Sequence, residues 1–249
     1  MASHPAPRRA DRMTYWVQES LGVVCFLFFY LPFHRVTRGW ERIPERKVLY
    51  VCNHVSLLDT ILIGGIFWRR RRVPLLVLGD RTVWRATWIR RVLSAKLGFL
   101  ISRDRHCSRS RLAELEAFGS SSDFDRLVFP EGTRGSGSGV KRVQPGIYFV
   151  AQAARIPIVP LYIENMHLVS TKRTGFHPLG GLGKLGFHVG SPIAPEDYLS
   201  LERDDFVDLI RHRLTALAQR VEEGAQERNE HGLGSLLASE PRDIGATGG

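Results

Sequence analysis

Six short apolar segments alternate with segments of helical periodicity, and this alternation constrains the fold of the chain most. The apolar segments are rich in Val, Ile, Leu and Phe, as is typical of buried strands. We predict strands near residues 47–52, 75–79, 98–102, 127–130, 157–163 and 185–190. We predict helices near residues 57–68, 82–95, 108–119 and 146–154. The pattern indicates an α/β fold, in which a single domain has a mixed, mostly parallel sheet flanked by helices.

A histidine and an aspartate follow the first predicted strand closely. The sequence there is Asn-His-Val-Ser-Leu-Leu-Asp, so His54 lies on the predicted turn from strand to helix and Asp59 lies in the first turns of the helix. A neutral imidazole accepts protons near neutral pH, and a carboxylate on its other ring nitrogen fixes the tautomer and stabilises the imidazolium. The spacing predicts a general base. The alternative is a histidine that caps the helix beside an ordinary first-turn acid.

Two arginines follow other predicted strands. The segment Gly-Phe-Leu-Ile-Ser-Arg ends at Arg103, and the segment Phe-Pro-Glu-Gly-Thr-Arg ends at Arg134. A guanidinium can bind a phosphate through two parallel hydrogen bonds, which a lysine cannot do. We therefore expect Arg103 and Arg134 to hold one phosphate between them. A further segment, 156–163, contains two prolines, which favour an edge or boundary strand.

Taken together, these motifs resemble those of the glycerolipid acyltransferases, the family of the 1-acylglycerol-3-phosphate acyltransferases. An Asn-His-X4-Asp block, a strand that ends in Arg, a Phe-Pro-Glu-Gly-Thr-Arg block and a Val-Pro strand occur in that family in the same order. The resemblance covers about residues 35–195. It implies transfer of an acyl group from acyl-CoA or acyl carrier protein, as a co-substrate, to a hydroxyl of a lysophospholipid, with no cofactor.

The resemblance also assigns roles to residues. It implies that His54 deprotonates the acceptor hydroxyl, that Asp59 orients His54, and that Glu131 binds the glycerol or braces its turn. The positions expected to bind the acceptor are Arg103, Glu131, Gly132, Thr133 and Arg134. The positions expected to support the site are Asn53, Ser56, Gly98, Pro130 and Arg81.

Two positions depart from the family pattern. Many relatives carry a lysine after the second strand, where this chain offers only Arg81. Relatives also often show an aromatic-Lys-X-Gly turn after the third motif, and residues 143–146 here are Val-Gln-Pro-Gly. Both departures bear on the choice of acceptor and donor more than on the catalytic step.

The positive charge of the chain is concentrated in one segment. The net charge is +10, and residues 69–111 alone contain 13 Lys or Arg and 2 Asp or Glu. Trp84 and Trp88 are spaced four apart within that segment, as suits the headgroup layer of an anionic membrane or an acidic carrier protein. A solvated basic face is the alternative. We predict no nucleic-acid partner, because no nucleic-acid-binding motif accompanies the charge, and no metal site, because the histidines lack metal-ligand spacing.

The N-terminal region carries a second membrane signal. Residues 23–33 are almost wholly apolar, and arginines precede them. Because a spanning helix needs about 20 apolar residues, we predict an interfacial or partly inserted anchor over 14–36, with a spanning helix or a buried core helix as alternatives. No cleavage site for a signal peptide follows. We expect the protein at the cytoplasmic face of the membrane, and the unevenly spaced Cys25, Cys52 and Cys107 fit a reducing compartment.

The predicted organisation has four parts. Residues 1–36 form a basic N-terminus with the anchor, and residues 37–200 form the acyltransferase α/β domain. Residues 201–228 form an amphipathic helix that packs on the domain, because apolar residues recur there every three or four positions. Residues 229–249 are rich in Gly, Ser and charge, which predicts a disordered tail.

Two other functions fit the sequence. Within the same chemistry, the acceptor could be another lysolipid, such as a lyso-ornithine lipid, which has no phosphate for the arginines. From a different class, the chain could be a catalytically silent, basic module that binds a membrane or a carrier protein. The intact His54, Asp59, Arg103 and Arg134 favour an enzyme that makes phosphatidic acid from 1-acylglycerol-3-phosphate.

Overall fold

The fold centres on a seven-stranded sheet. A computed structural model of the chain describes residues 12–71, 74–81, 98–101, 109–121, 123–135, 139–171 and 175–238. The strands are β1 His34–Arg38, β2 Leu49–Cys52, β3 Leu75–Asp80, β4 Gly98–Ile101, β5 Asp125–Val128, β6 Ile158–Glu164, β7 Ser170–Thr171, β8 Gly175–Phe176 and β9 Leu185–Val189. Their order in the sheet is β1-β9-β6-β2-β5-β3-β4, and β7 and β8 pair separately. Neighbours in the large sheet are parallel except β6 and β9, which are antiparallel.

Helices cover both faces of this sheet. They are α1 Arg12–Cys25, α2 Leu31–Phe33, α3 Leu58–Arg71, α4 Arg109–Gly119, α5 Gly146–Ala154, α6 Pro195–Tyr198 and α7 Arg203–Ala238. One core joins alternate strand residues such as Tyr50 and Cys52 to α3 and to the end of the N-terminal segment. A second core joins the intervening residues, such as Leu49 and Val51, to α4, α5 and α7. The predicted fold class, a mostly parallel sheet flanked by helices, is confirmed.

The six predicted strands all occur, with ends shifted by at most two residues. The predicted helices at 57–68, 108–119 and 146–154 also occur, whereas the one at 82–95 lies outside the described residues. The sequence analysis missed β1. Residues 34–36 were assigned to the anchor, but His34–Arg38 pairs with β9 and therefore belongs to the sheet.

The proline-containing strand was predicted at an edge or boundary of the sheet, and the edge alternative was wrong, because β6 lies between β9 and β2. It does stand at a boundary, between its parallel neighbour β2 and its antiparallel neighbour β9. Pro160 is tolerated there because the ladder with β9 is irregular at this point. Ile158 exchanges two hydrogen bonds with Ile193, and the Pro160 carbonyl accepts a hydrogen bond from Gly190, so the chain on this side bends around the proline. Since alternate residues of a strand bond to opposite neighbours, the missing N–H of Pro160 faces this bend and not β2.

The N-terminal segment is helical from Arg12 to Phe33, with a π-helical stretch at Phe26–Tyr30. By length and composition alone, residues Tyr15–Phe33 could cross a membrane, with a mean hydropathy of 1.4. One side of the segment nevertheless docks on the domain. The buried Gln18 amide donates to the Leu75 carbonyl and accepts from the Leu75 N–H at 3.1 and 2.8 Å, which joins α1 to the start of β3.

The C-terminal helix is longer than predicted. It continues to Ala238, so the predicted end at 228 was wrong and residues 229–238 are helical rather than irregular. The stretch after 221 contains many Glu, Gln, Ala and Arg residues, whose helix propensity outweighs the glycines that suggested disorder. Residues 239–249 lie outside the described part of the chain.

The first half of α7 is essential to the second core. Phe206 is fully buried and its ring lies 5.6 Å from that of Tyr198 and 5.8 Å from that of Tyr148. We predict that Phe206→Ala lowers the free energy of unfolding by about 3–5 kcal/mol, because it leaves a cavity between helix and sheet. Chemical denaturation checks this, with the exposed Arg213→Ala as a control that should change stability by less than about 0.5 kcal/mol. Equal stabilities of the two variants would contradict this placement of α7.

Candidate active site

The sheet forms a crevice at the carboxyl ends of β2 and β5. These strands are parallel neighbours, with Tyr50 opposite Leu127 and Val51 opposite Val128. The chain leaves β2 for α3 on one face of the sheet, and it leaves β5 for α5 on the other face. In open α/β sheets, ligands bind at such a point, where neighbouring strands send their connections to opposite faces. The two most distinctive sequence motifs both begin at this point.

His54 and Asp59 form a hydrogen-bonded pair in this crevice. The His54 Nδ1 lies 2.9 Å from the Asp59 Oδ2. The Asp59 side chain is 1% exposed, whereas that of His54 is 15% exposed. A proton on Nδ1 that is donated to the carboxylate leaves the lone pair of Nε2 free to accept a proton. The geometry is therefore that of a buried acid orienting a partly accessible base.

Backbone groups hold the Asp59 carboxylate in place. Its Oδ2 also accepts hydrogen bonds from the N–H groups of Val55 and Ser56, at 2.7 and 2.9 Å. Asp59 lies in the first turn of α3, where the helix dipole stabilises a negative charge. The turn that carries His54 is thus closed by the same oxygen atom that contacts its imidazole, so the ring and the carboxylate keep a fixed geometry.

The neighbouring motif residues connect this turn to distant parts of the chain. Asn53 is buried, and its side-chain amide donates to the Ile163 carbonyl and accepts from the Ile163 N–H, at 3.1 and 2.8 Å. Ser56 accepts from the Leu58 N–H at the start of α3 and donates to the Ser170 hydroxyl at 2.9 Å. Both predicted supporting residues therefore position the turn rather than face the crevice.

The Phe129–Gly135 turn lies against the His54 turn. The Phe129 ring stacks on the imidazole of His54, with centroids 4.2 Å apart. The Gly135 N–H donates to the backbone carbonyl of His54, and the carbonyl of the buried Pro130 accepts from the Gln144 N–H. Gly132 has a φ of 66°, in the left-handed region that favours glycine. These contacts bring the two sequence motifs together.

Glu131 is buried between the two turns. Burial raises the pKa of its carboxyl group, while hydrogen bonds from the backbone N–H groups of His54 and Lys141 act against that rise. Of the two roles expected for Glu131, this placement favours bracing the turn.

The predicted phosphate-binding residues have different placements. Arg134 is half-buried directly before Gly135, and its guanidinium has no hydrogen-bond or ion-pair partner within the described residues. Thr133 and Gly132 are exposed. Gly98 begins β4, the strand on the far side of β3, and Arg103 lies outside the described residues, so its proximity to Arg134 stays a prediction.

Arg81 lies at the end of β3 and pairs with Glu114 of α4 at 3.0 Å. This ion pair ties the guanidinium to the helix layer. Trp84 and Trp88, with most of the basic segment, lie outside the described residues. Within the part of the chain that is described, no three His, Cys, Asp or Glu side chains come together as a metal site would require.

Sequence reasoning missed three contributors to this site. Ser170 is the partner of Ser56 but lies 114 residues away, and nothing in the local sequence marks it. Lys141 contributes its backbone N–H, which any residue could supply. Phe129 did carry a signal, because it is the aromatic residue that opens the third motif, next to Pro130.

Comparisons with known proteins agree with this geometry. The sequence model of the Acyltransferase family matches residues 34–164, which include both turns. The chain is 33% identical over 140 residues to a probable 1-acyl-sn-glycerol-3-phosphate acyltransferase of Mycoplasma pneumoniae, covering 53% of this chain and 51% of that protein. It is 27% identical over 176 residues to the 1-acyl-sn-glycerol-3-phosphate acyltransferase of Cocos nucifera, covering 70% and 55%. The chain thus spans about half the length of these two relatives.

A solved structure shows the same fold. The 1-acyl-sn-glycerophosphate acyltransferase PlsC of Thermotoga maritima superposes with a TM-score of 0.61 at 22% identity. The match covers 84% of this chain and 79% of the other.

Cys52 lies two residues before His54, and its environment makes it a poor nucleophile. The thiol is fully buried, and burial, followed by the negative charges of Asp59 and Glu131, raises its pKa well above the usual value. Because the thiolate is the reactive form, we predict that iodoacetamide leaves Cys52 unmodified in the native protein at about pH 8 and modifies it after denaturation. Peptide mapping by mass spectrometry checks this. Rapid labelling of native Cys52 would show that the strand is open to solvent.

Proposed function

The chain belongs to the Acyltransferase family, and we propose that it transfers a fatty acyl group from a thioester to the free hydroxyl of 1-acylglycerol-3-phosphate, giving phosphatidic acid. One observation carries this proposal. The Gly135 N–H donates to the His54 carbonyl, so the backbone next to Arg134 contacts the turn that carries the His54–Asp59 pair. This contact supports a site in which the base and a phosphate-binding cation act on one phosphorylated acceptor alcohol.

The proposed reaction uses the acceptor hydroxyl as the nucleophile. The His54 Nε2 takes the hydroxyl proton as the oxygen attacks the thioester carbonyl, and Asp59 stabilises the imidazolium that forms. The tetrahedral intermediate then breaks its carbon–sulfur bond, and the departing thiolate takes the proton from His54. The products are an ester and a free thiol. No acyl-enzyme forms, which agrees with the inaccessibility of Cys52.

Arg134 binds the acceptor phosphate in this proposal, and Arg103 supplies the second guanidinium. Because Arg134 is half-buried, solvent screens its attraction for a phosphate less than it would screen that of an exposed arginine. Gly132 and Thr133 let the phosphate approach the turn, and Glu131 keeps the turn against His54. The relatives named 1-acyl-sn-glycerol-3-phosphate acyltransferases support this choice of acceptor over a lysolipid that lacks a phosphate.

The donor is a thioester of acyl carrier protein or of coenzyme A. Both are acidic, and the basic residues between 69 and 111 would attract either of them to the protein. We propose that the reaction takes place at the cytoplasmic face of a membrane, because the lysolipid resides there and the apolar stretch Tyr15–Phe33 is suited to lipid contact.

The His54–Asp59 pair gives the first prediction about catalysis. We expect His54→Ala to lower kcat by about 10²–10⁴-fold, the usual contribution of a general base. Asp59→Asn should also lower kcat strongly, since it removes the charge that stabilises the imidazolium. Asp208→Asn makes the same substitution at an exposed residue of α7, and this control should leave kcat unchanged. A release assay for the free thiol measures all three, and full transfer by His54→Ala would rule out the proposed base.

The phosphate contact gives the second prediction. We expect Arg134→Ala to lower kcat/KM for 1-acylglycerol-3-phosphate by about 10- to 100-fold, mostly through KM, because a charge-assisted hydrogen bond is lost. Transfer to monoacylglycerol, which has no phosphate, should change little. Arg213→Ala, an exposed arginine of α7, serves as the control. If Arg134→Ala slows both acceptors equally, the guanidinium acts on the structure of the turn and not on the phosphate.

A further inference from the structure

The exposed apolar side chains of this protein are segregated. Among the side chains whose exposure the structure describes, every large apolar one that is exposed lies either in the N-terminal helical segment or between residues 176 and 182. The second group consists of Phe176, Leu179 and Leu182, which are 54%, 83% and 47% exposed. Soluble proteins normally scatter such residues, so their concentration in two clusters marks a surface with a partner.

The two clusters adjoin one another. The Gly183 N–H donates to the Pro32 carbonyl at 2.9 Å, which fastens residues 175–184 to the end of α2. The following strand pairs with the strand after α2, with Leu185 opposite His34. Residues 175–184, which we call the β8 loop, thus extend the apolar surface of the N-terminal segment onto the domain itself.

The β8 loop is held firmly in this position. The His177 N–H donates to the Val169 carbonyl, and the Asn165 side chain donates to the Lys184 carbonyl at 3.0 Å. Gly181 packs so closely on Val169 that a side chain there would overlap with it. The exposure of Leu179 is therefore a feature of a packed loop, and no rearrangement of the described residues is needed to present it.

The charges around this surface identify its partner. Residues 12–40 contain three Arg and one Glu, and residues 175–195 contain one Lys and no Asp or Glu. The exposed Arg35 and Lys184 border the apolar residues. Apolar side chains with a net positive charge around them match the boundary between acyl chains and anionic headgroups.

The β8 loop also lies at the edge of the sheet that carries the candidate active site. It follows β6, which runs parallel to β2 and ends at the same edge. The Ser170 hydroxyl, at the base of the β7–β8 hairpin, accepts the hydrogen bond from Ser56, two residues after His54. The loop and the catalytic turn are therefore connected through one buried contact.

We propose that the β8 loop is a membrane-contact site distinct from the N-terminal segment, which inserts Phe176, Leu179 and Leu182 into an anionic bilayer and presents the catalytic edge to lysolipid held there. The second part of this statement rests on the proposed function. The first part does not, because membrane contact can be measured without any acyl transfer.

The test uses the full chain and sedimentation with vesicles of phosphatidylcholine alone or mixed with phosphatidylglycerol. We expect the triple variant Phe176→Ser, Leu179→Ser, Leu182→Ser to bind mixed vesicles about tenfold more weakly than the unchanged protein. Leu179→Ser alone should show a smaller loss in the same direction, and its 83% exposure means that no core packing is lost. As a control, Gln219→Ser at an exposed position of α7 should bind the mixed vesicles as tightly as the unchanged protein.

Activity measurements separate the proposal from the proposed function. The triple variant should transfer acyl groups normally to a short-chain, monomeric lysophosphatidate and poorly to the same headgroup embedded in vesicles. Unchanged vesicle binding by both loop variants would overturn the membrane contact, whatever the activity. A change in oligomeric state in the absence of lipid, with vesicle binding intact, would also overturn it and show that the loop contacts a second copy of the chain.

Discussion

The parallel pairing of β2 with β5 is the constraint on which the candidate site depends. In the observed register Val51 of β2 lies opposite Val128 of β5. His54 comes three residues after Val51, and Glu131 comes three residues after Val128, so the two turns start at the same level of the sheet. A shift by one residue would exchange the two faces of a strand and place Tyr50 and Cys52 in the wrong core. The register that fills both cores therefore also brings the base and the arginine-bearing turn together, and neither motif could form the site alone.

The parts of this structure that were predictable from the sequence are local. His54 and Asp59 are five residues apart, and the strand and helix that flank them have clear patterns, so their proximity follows from one turn. The contact between Ser56 and Ser170, by contrast, joins residues 114 apart and depends on the path of the chain after β6. The position of Pro160 in an interior strand was missed for a related reason, since only the bend of a distant segment makes it tolerable.

The first strand illustrates how composition can mislead. Residues 34–36, His-Arg-Val, directly follow the apolar stretch 23–33 and were predicted to belong to the same anchor. The helix ends there because His34–Arg38 pairs with β9. The hydrogen bonds of this pairing can form only after β9 has joined the sheet. Gln18 is likewise a polar residue that precedes the apolar stretch 23–33, yet its buried amide fastens α1 to Leu75.

An enzyme whose acceptor is an amphiphile has to meet a condition that an enzyme for a soluble alcohol does not. The acceptor's headgroup must reach the base while its acyl chain stays in an apolar environment. In this protein the proposed base, His54, lies at the edge of the sheet that also carries the β8 loop, and Ser170 connects the two through a single buried hydrogen bond. Since residues 175–184 and α2 are also hydrogen-bonded, the N-terminal segment, the loop and the catalytic turn form one continuous structure. A surface that follows the bilayer would thereby fix the height of His54 above it, which is the distance that a phosphorylated glycerol has to span.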